Sequence, residues 1–186
     1  MPTSRQYQLR YAPPSLCEYP LHWQKEMNRS RRLQEAIETI GKEFFSVYPH
    51  VPHSWNIGSE GFDLSIEMES ESGFSIFLDL IEYEAVIYCG CMHQHVFWPE
   101  EENADDYAKR IYGIIYDYLT TETRLREVYS GKNPHKYVIE QRVDGNWESE
   151  EEMGLLFFNY FGKKSEKFYQ NDILPPRSNQ CQPASR

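Results

Sequence analysis

Cys89, Cys91, His93 and His95 recur at every second position of one short stretch. Thiolate and imidazole are zinc-binding groups, and residues two apart on a β-strand share a face. On an unbroken strand, neighbours on that face stand about 7 Å apart and the four span about 20 Å. Zinc holds its ligand atoms at roughly 2.0–2.3 Å, so all four cannot reach one ion. At most an adjacent pair chelates, best His93 with His95, and a third ligand has to come from His50, His53, Glu82 or Glu84. This pair is the route to a metal-dependent enzyme with a divalent cofactor such as zinc. The competing expectation is no cofactor, with core cysteines and packed or surface histidines.

Other chemistries lack their motifs. There is no Gly-x-Ser-x-Gly elbow and no Ser-x-x-Lys. Cys91 and His93 share the strand face but lie end to end, and no third group orients them. The glycine loops that cradle phosphates are missing, and Gly162-Lys163-Lys164-Ser165 lacks the earlier glycine of a P-loop. The carboxylate runs Glu100-Glu101-Glu102 and Glu150-Glu151-Glu152 read as solvated loops or helix starts. Lys163, Lys164 and Lys167 interleave with Tyr160, Phe161, Phe168 and Tyr169, a pattern that suits single-stranded nucleic acid. A net charge of -10 opposes that reading, and the basic patch is expected to neutralise an acidic neighbour instead.

The elements that hold these residues follow from hydrophobic period. Residues 1–22 carry Pro2, Pro13, Pro14 and Pro20 and read as an N-terminal extension. Leu33, Ala36, Ile37, Ile40, Phe44 and Val47 form a helical stripe within 28–48, ended by Pro49. Arg29, Arg31 and Arg32 at its start oppose the helix dipole, so either the helix begins earlier, near Trp23, or they meet acidic partners. Phe62, Leu64, Ile66 and Met68 alternate with Asp63, Ser65, Glu67 and Glu69, a half-buried strand with an acidic outer side. Phe74, Ile76, Leu78 and Leu80 alternate again after a turn and pair with it. Residues 85–91 are apolar on both sides, and the chain runs on through His93 and His95 to Pro99. A second helix over 103–120 has Asn103 as its N-cap and Asp105 and Asp106 at the favourable dipole end. Two more strands, 123–129 and 136–143, flank a Gly131-Lys132-Asn133-Pro134 turn. Residues 149–169 hold a dense apolar run with no clean period, either a last strand or a short buried helix, and 175–186 read as a disordered polar tail.

The expected fold is α+β: an antiparallel sheet of a three-stranded meander plus two further strands, with two helices on one face, in a single domain over 23–174. The 186 residues, 15% aromatic, suffice for one core. No run is long and apolar enough for a membrane span, and no signal-type segment is present, so a reducing cytoplasm and free thiols are expected.

Charge supplies the functional expectation. Residues 51–130 hold 4 basic and 16 acidic side chains, while the rest of the chain is close to neutral. Such a field repels nucleic acid and anionic membrane and attracts a basic protein. Asp63, Glu67 and Glu69 on the strand, with Trp98, Glu100, Glu101 and Glu102 at the following loop, are the candidate binding residues. Small, acidic and without catalytic motifs, the chain resembles in type the bacterial immunity proteins that neutralise toxins, which implies a basic toxin as partner. A phage or mobile-element protein that mimics DNA charge is a further alternative.

Overall fold

The computed structural model describes residues 21–58, 61–81, 83–154 and 162–177. The fold is α+β, with two antiparallel sheets where one was expected. In order these are helix α1 (Leu21–Val47), strands β1 (Ser54–Gly58), β2 (Gly61–Ile66), β3 (Ile76–Ile81), β4 (Glu84–Cys89) and β5 (Met92–Phe97), helix α2 (Ala104–Tyr118), and strands β6 (Thr123–Ser130), β7 (Asn133–Val143), β8 (Asn146–Gly154) and β9 (Lys164–Gln170). The first sheet is a five-stranded meander, β1 to β5; the second runs β8-β7-β6-β9. No helix among the described residues is long and apolar enough to cross a membrane.

Helix α1 begins seven residues before the expected start, which moves Arg29, Arg31 and Arg32 clear of the dipole's positive end. Arg31 pairs with Glu35 one turn on, at 2.8 Å. Leu33, Ala36, Ile37 and Phe45 are buried, whereas Val47, expected in the stripe, is 66% exposed. The helix is seated at Gly41, where a Cβ would stand 2.2 Å from the Tyr112 hydroxyl and 2.3 Å from the Trp55 ring. That close approach sets which residues face inward. Helix α2 starts as expected: the Asn103 side chain accepts a hydrogen bond from the Asp106 N–H at 2.8 Å. Gly113 does not approach the sheet; its carbonyl accepts from Arg177 at 2.7 Å.

One buried cluster unites the inward residues of β2 to β5 (Phe62, Leu64, Ile66, Ile76, Leu78, Ala85, Ile87, Val96) with both helices and with Leu125, Tyr137 and Ile139 of the second sheet. Two buried polar side chains lock it. The Tyr107 hydroxyl accepts from the Ala85 N–H at 2.8 Å and donates to the Val96 carbonyl, bridging β4 and β5 from α2. Asn171 accepts from the Phe74 N–H at 3.1 Å and donates to the carbonyls of Phe74 (3.0 Å) and Tyr118 (2.9 Å). It thereby ties the segment after β9 to the first sheet and to the end of α2.

Several sequence expectations are corrected or resolved. The strand expected to run on from 85 through His95 is broken by a two-residue hairpin at Gly90-Cys91. Gly90 takes φ +58, as such tight loops require, and a Cβ there would crowd Leu125 at 2.9 Å. β2 stops at Ile66, leaving Glu67 and Glu69 in the following loop. The acidic stretch 146–154 is a strand, paired with β7 through the positive-φ turn Asp144-Gly145. Lys164–Gln170, in the stretch left open between a last strand and a buried helix, is a strand on the outer edge of β6. Residues 175–177, expected in the loose tail, are docked: the Pro175 carbonyl accepts from the Tyr116 hydroxyl at 2.7 Å, and Arg177 pairs with Asp117 at 3.1 Å. Residues 1–20, 59–60, 82, 155–161 and 178–186 lie outside the described residues, and with them the candidate ligand Glu82 and Tyr160 and Phe161 of the basic-aromatic patch.

Candidate functional site

The helices cover one face of the first sheet; the strand register defines what the other face presents. Three rows run across it. The first is Ser54, Ser65, Phe77, Tyr88 and His93; the second is Asn56, Asp63, Asp79, Val86 and His95; the third, shorter, holds Ile81, Glu84 and Phe97. Phe77, Ile81 and Phe97 are exposed, Phe97 by 70%, whereas Val86 is buried at 1% and Asp63, Asp79, Glu84, Tyr88 and His93 are half-buried. Aromatic rings form a continuous chain: Phe77 to Tyr88 at 5.8 Å, Tyr88 to His93 at 5.9 Å, His93 to His95 at 5.1 Å, His95 to Phe97 at 6.3 Å.

No lysine or arginine occurs anywhere between Lys42 and Lys109. The whole first sheet is therefore built without a permanent cation. Asp63 and Asp79 stand directly opposite one another on β2 and β3, an arrangement that costs stability. Asn56 donates to Asp63 at 3.1 Å. Among the described residues no cation reaches either carboxylate.

The sequence-derived binding residues are divided by this geometry. Asp63 lies on the open face. Glu67 and Glu69 are exposed in the loop beyond the Ile66 end of β2, the end that pairs toward Cys89 and Met92. Trp98, Glu100, Glu101 and Glu102 follow Phe97, at the opposite end of the strands. Trp98 is half-buried beneath the Arg29 guanidinium at 4.5 Å and donates to the Glu102 carbonyl at 2.8 Å. Glu102 receives two bonds from Arg110, at 3.2 and 2.7 Å, and Glu100 stands 4.0 Å from Arg29. Glu101 is exposed. Trp55 and Trp147 serve packing too: Trp55 meets Phe45 and Phe62, and Trp147 stacks on Arg124 at 4.1 Å.

His93 and His95 share the open face, as expected from their spacing. The cysteines do not join them. Cys89 is buried on the helix side, with its thiol pushed up to about 12 by burial, and Cys91 sits exposed at the hairpin tip. His95 Nδ1 lies 3.1 Å from Glu84, one of the candidate third ligands. Glu151 of β8 also feels both imidazoles; burial raises its carboxyl above the ordinary range and the histidines partly offset that. Among the described residues no three ligand-type side chains converge in a way that could hold a metal ion.

Asp79, Phe77 and Ile81 escaped the sequence reading. Their signal was present as the second set of positions in each alternating strand, and as the 66-residue gap without lysine or arginine. The chain matches no protein-family profile, no curated protein and no solved structure.

Proposed function

We propose that this chain is a non-enzymatic protein-binding module that docks a basic partner on the open face of its first sheet. The observation that carries the reading is the face itself: exposed aromatics on the same face as Asp63 and Asp79, with no lysine or arginine in any of the five strands. Apolar rings supply contact area, and uncompensated carboxylates select a guanidinium or ammonium among them. In its narrower form the module is an immunity-type inhibitor of a basic toxin, working in a reducing cytoplasm.

The test is an array of short peptides varied in Arg, Lys, Glu and aromatic content, probed with the full chain at about 50 and about 300 mM salt. Arg-bearing peptides should be retained selectively, and retention should fall with salt. It should also fall in the D63N/D79N variant and persist in the E67Q/E69Q variant, which removes the same charge away from the face. Equal loss in both variants would reduce the effect to net charge and refute the docking face; so would retention without charge preference. The narrower form is tested by co-expression with the product of the adjoining gene. Relief of a growth arrest supports it, and a partner that is harmless or is not relieved overturns it.

A further inference from the structure

β1 is a bare edge of the first sheet. It pairs with β2 from Ser54↔Ser65 to Gly58↔Gly61, and among the described residues no strand lies on its other side. Facing pairs in an antiparallel ladder alternate between those that exchange N–H···O bonds and those that do not. Only two residues separate Gly58 from Gly61, and the pair that closes so short a hairpin is a bonded one. Asn56–Asp63 and Ser54–Ser65 are then bonded as well. Trp55 and Ile57 therefore turn their N–H and C=O groups away from β2, and among the described residues no backbone group meets them.

Sheets protect such edges with charges, prolines or bulges. The other three edges of this fold are protected. β8 carries Glu148, Glu150, Glu151 and Glu152, and β9 carries Lys164, Glu166 and Lys167. β5 is flanked by Glu151 of β8, which feels both of its histidines. β1 reads Ser-Trp-Asn-Ile-Gly, without a charge or a proline, and its register with β2 is unbroken. Ser54, Asn56 and Ile57 are exposed along it.

A strand laid outside β1 would bond to Trp55 and Ile57 and send alternate side chains to the two faces. Those on the helix side lie beside Ile57, which is 44% exposed, and call for apolar residues. The residue opposite Asn56 falls on the open face, in the row Asn56, Asp63, Asp79. Strands lie about 4.8 Å apart, so Asp63 stands about 10 Å from the added backbone. An extended arginine side chain reaches a carboxylate across that gap, and a short side chain does not. A second copy of this chain is a poor occupant, because each copy carries a net charge of -10 and neither first sheet holds a lysine or arginine.

We propose that β1 is the docking edge for an extended, arginine-bearing segment of the partner, which adds to the first sheet as a sixth strand. Its apolar residues lie on the helix side and its arginine on the open side, opposite Asn56. Main-chain bonds supply the hold and the alternating side chains supply the selection. The proposal rests on the open face being the docking surface and specifies how the partner enters it.

The experiment is an amide-resolved NMR titration of the full chain with the end-blocked peptide Thr-Val-Arg-Val-Arg-Val-Thr, followed by hydrogen exchange. Shifts are expected at residues 54–58 and 63, and exchange of the Trp55 and Ile57 N–H groups should slow by at least about tenfold at saturation. The peptide with glutamate in place of arginine should bind at least about tenfold more weakly. Ile57→Pro removes one outward N–H at an edge position, where proline is tolerated, and Ile57→Ala keeps it. I57P should bind about tenfold more weakly than I57A. The variants' spectra report whether the fold is intact, and the exchange measurement on the parent chain depends on neither of them. Equal binding by I57P and I57A, or binding that leaves exchange at Trp55 and Ile57 unchanged, would overturn strand addition while leaving the open face as the docking surface. No binding of the arginine peptide up to about 5 mM, weaker than a millimolar complex, would refute the face and the edge together. Protection of Trp55 and Ile57 that grows with protein concentration in the absence of peptide would assign the edge to a second copy and overturn the proposal.

Discussion

Asp63 and Asp79 face each other across β2 and β3 with no cation among the described residues to separate them. Directly opposed side chains in an antiparallel pair have Cβ atoms about 4.5–5.5 Å apart. Two unit charges about 6 Å apart repel by roughly 0.7 kcal/mol in water, and a Debye length of about 8 Å at physiological salt halves this. Asp79→Asn should therefore stabilise the fold by about 0.3–0.7 kcal/mol, with the larger value at low salt. Asp63→Asn should gain less, because it also weakens the bond from Asn56. Either substitution alone removes the repulsion, so the double variant should gain nothing further. The cycle should be non-additive by about the size of the repulsion itself, roughly 0.5 kcal/mol. Urea unfolding with a shared slope, at two salt concentrations, measures all four corners. A destabilising Asp79→Asn, an additive cycle, or a gain indifferent to salt would refute the reasoning. The same substitutions should weaken capture of Arg-bearing peptides. Gain of stability with loss of binding is the signature expected of a site kept at the fold's expense.

Three further outcomes concern Asn171, Tyr107 and Glu150. Asn171→Ala removes three hydrogen bonds and strands two carbonyls and one N–H, so chemical unfolding should show a loss of about 2–4 kcal/mol. Tyr107→Phe keeps the ring but orphans the Ala85 N–H and the Val96 carbonyl, for an expected loss of about 1–3 kcal/mol by the same measurement. Glu150 has its carboxyl raised above 4.5 by burial and by Glu151, so the folded chain holds that proton more tightly than the unfolded chain does. Its contribution to stability is fully present below 4.5 and is lost as pH rises through the raised value. E150Q should accordingly be more stable than the parent at pH 7, with the gap closing on acidification; a gap that widens toward acid would contradict the assignment.

The parts of the fold that could be read in advance were those where one local signal decides. Alternation marked β2 and β3, and Asn103 with its two aspartates marked the start of α2. The Gly90-Cys91 turn was invisible because apolar residues flank it on both sides and a Gly-Cys step is a weaker signal than the usual Asn-Gly or Asp-Gly. β8 was hidden by Glu148, Glu150, Glu151 and Glu152, residues with weak strand preference. It is a strand because β7 offers it a ladder, with Lys136 meeting Glu152 at 2.7 Å. β9 has no apolar alternation; Lys167 stands opposite Glu127 in the register, with its ammonium over the Tyr129 ring at 5.1 Å. The division into two sheets is a long-range matter: alternation states that a strand has two faces, and it does not state which strand lies beside it.

The same distinction separates charge from site. The 16 acidic residues of 51–130 suggested one anionic zone, but several are engaged inside the fold. Glu84 meets His95, Glu102 meets Arg110, Asp117 meets Arg177, and Glu127 accepts from the hydroxyls of Tyr129 and Tyr169. A carboxylate so occupied adds to net charge and long-range steering but offers a partner little at contact range. Those that matter for recognition are the ones the fold leaves uncompensated. Asp63 and Asp79 meet that criterion most plainly, since folding brings them together and supplies no counter-charge. Their adjacency depends on the register of two strands, which no count along the chain contains. A binding face on this protein is therefore better sought where packing has set like charges side by side than where the sequence is merely most acidic.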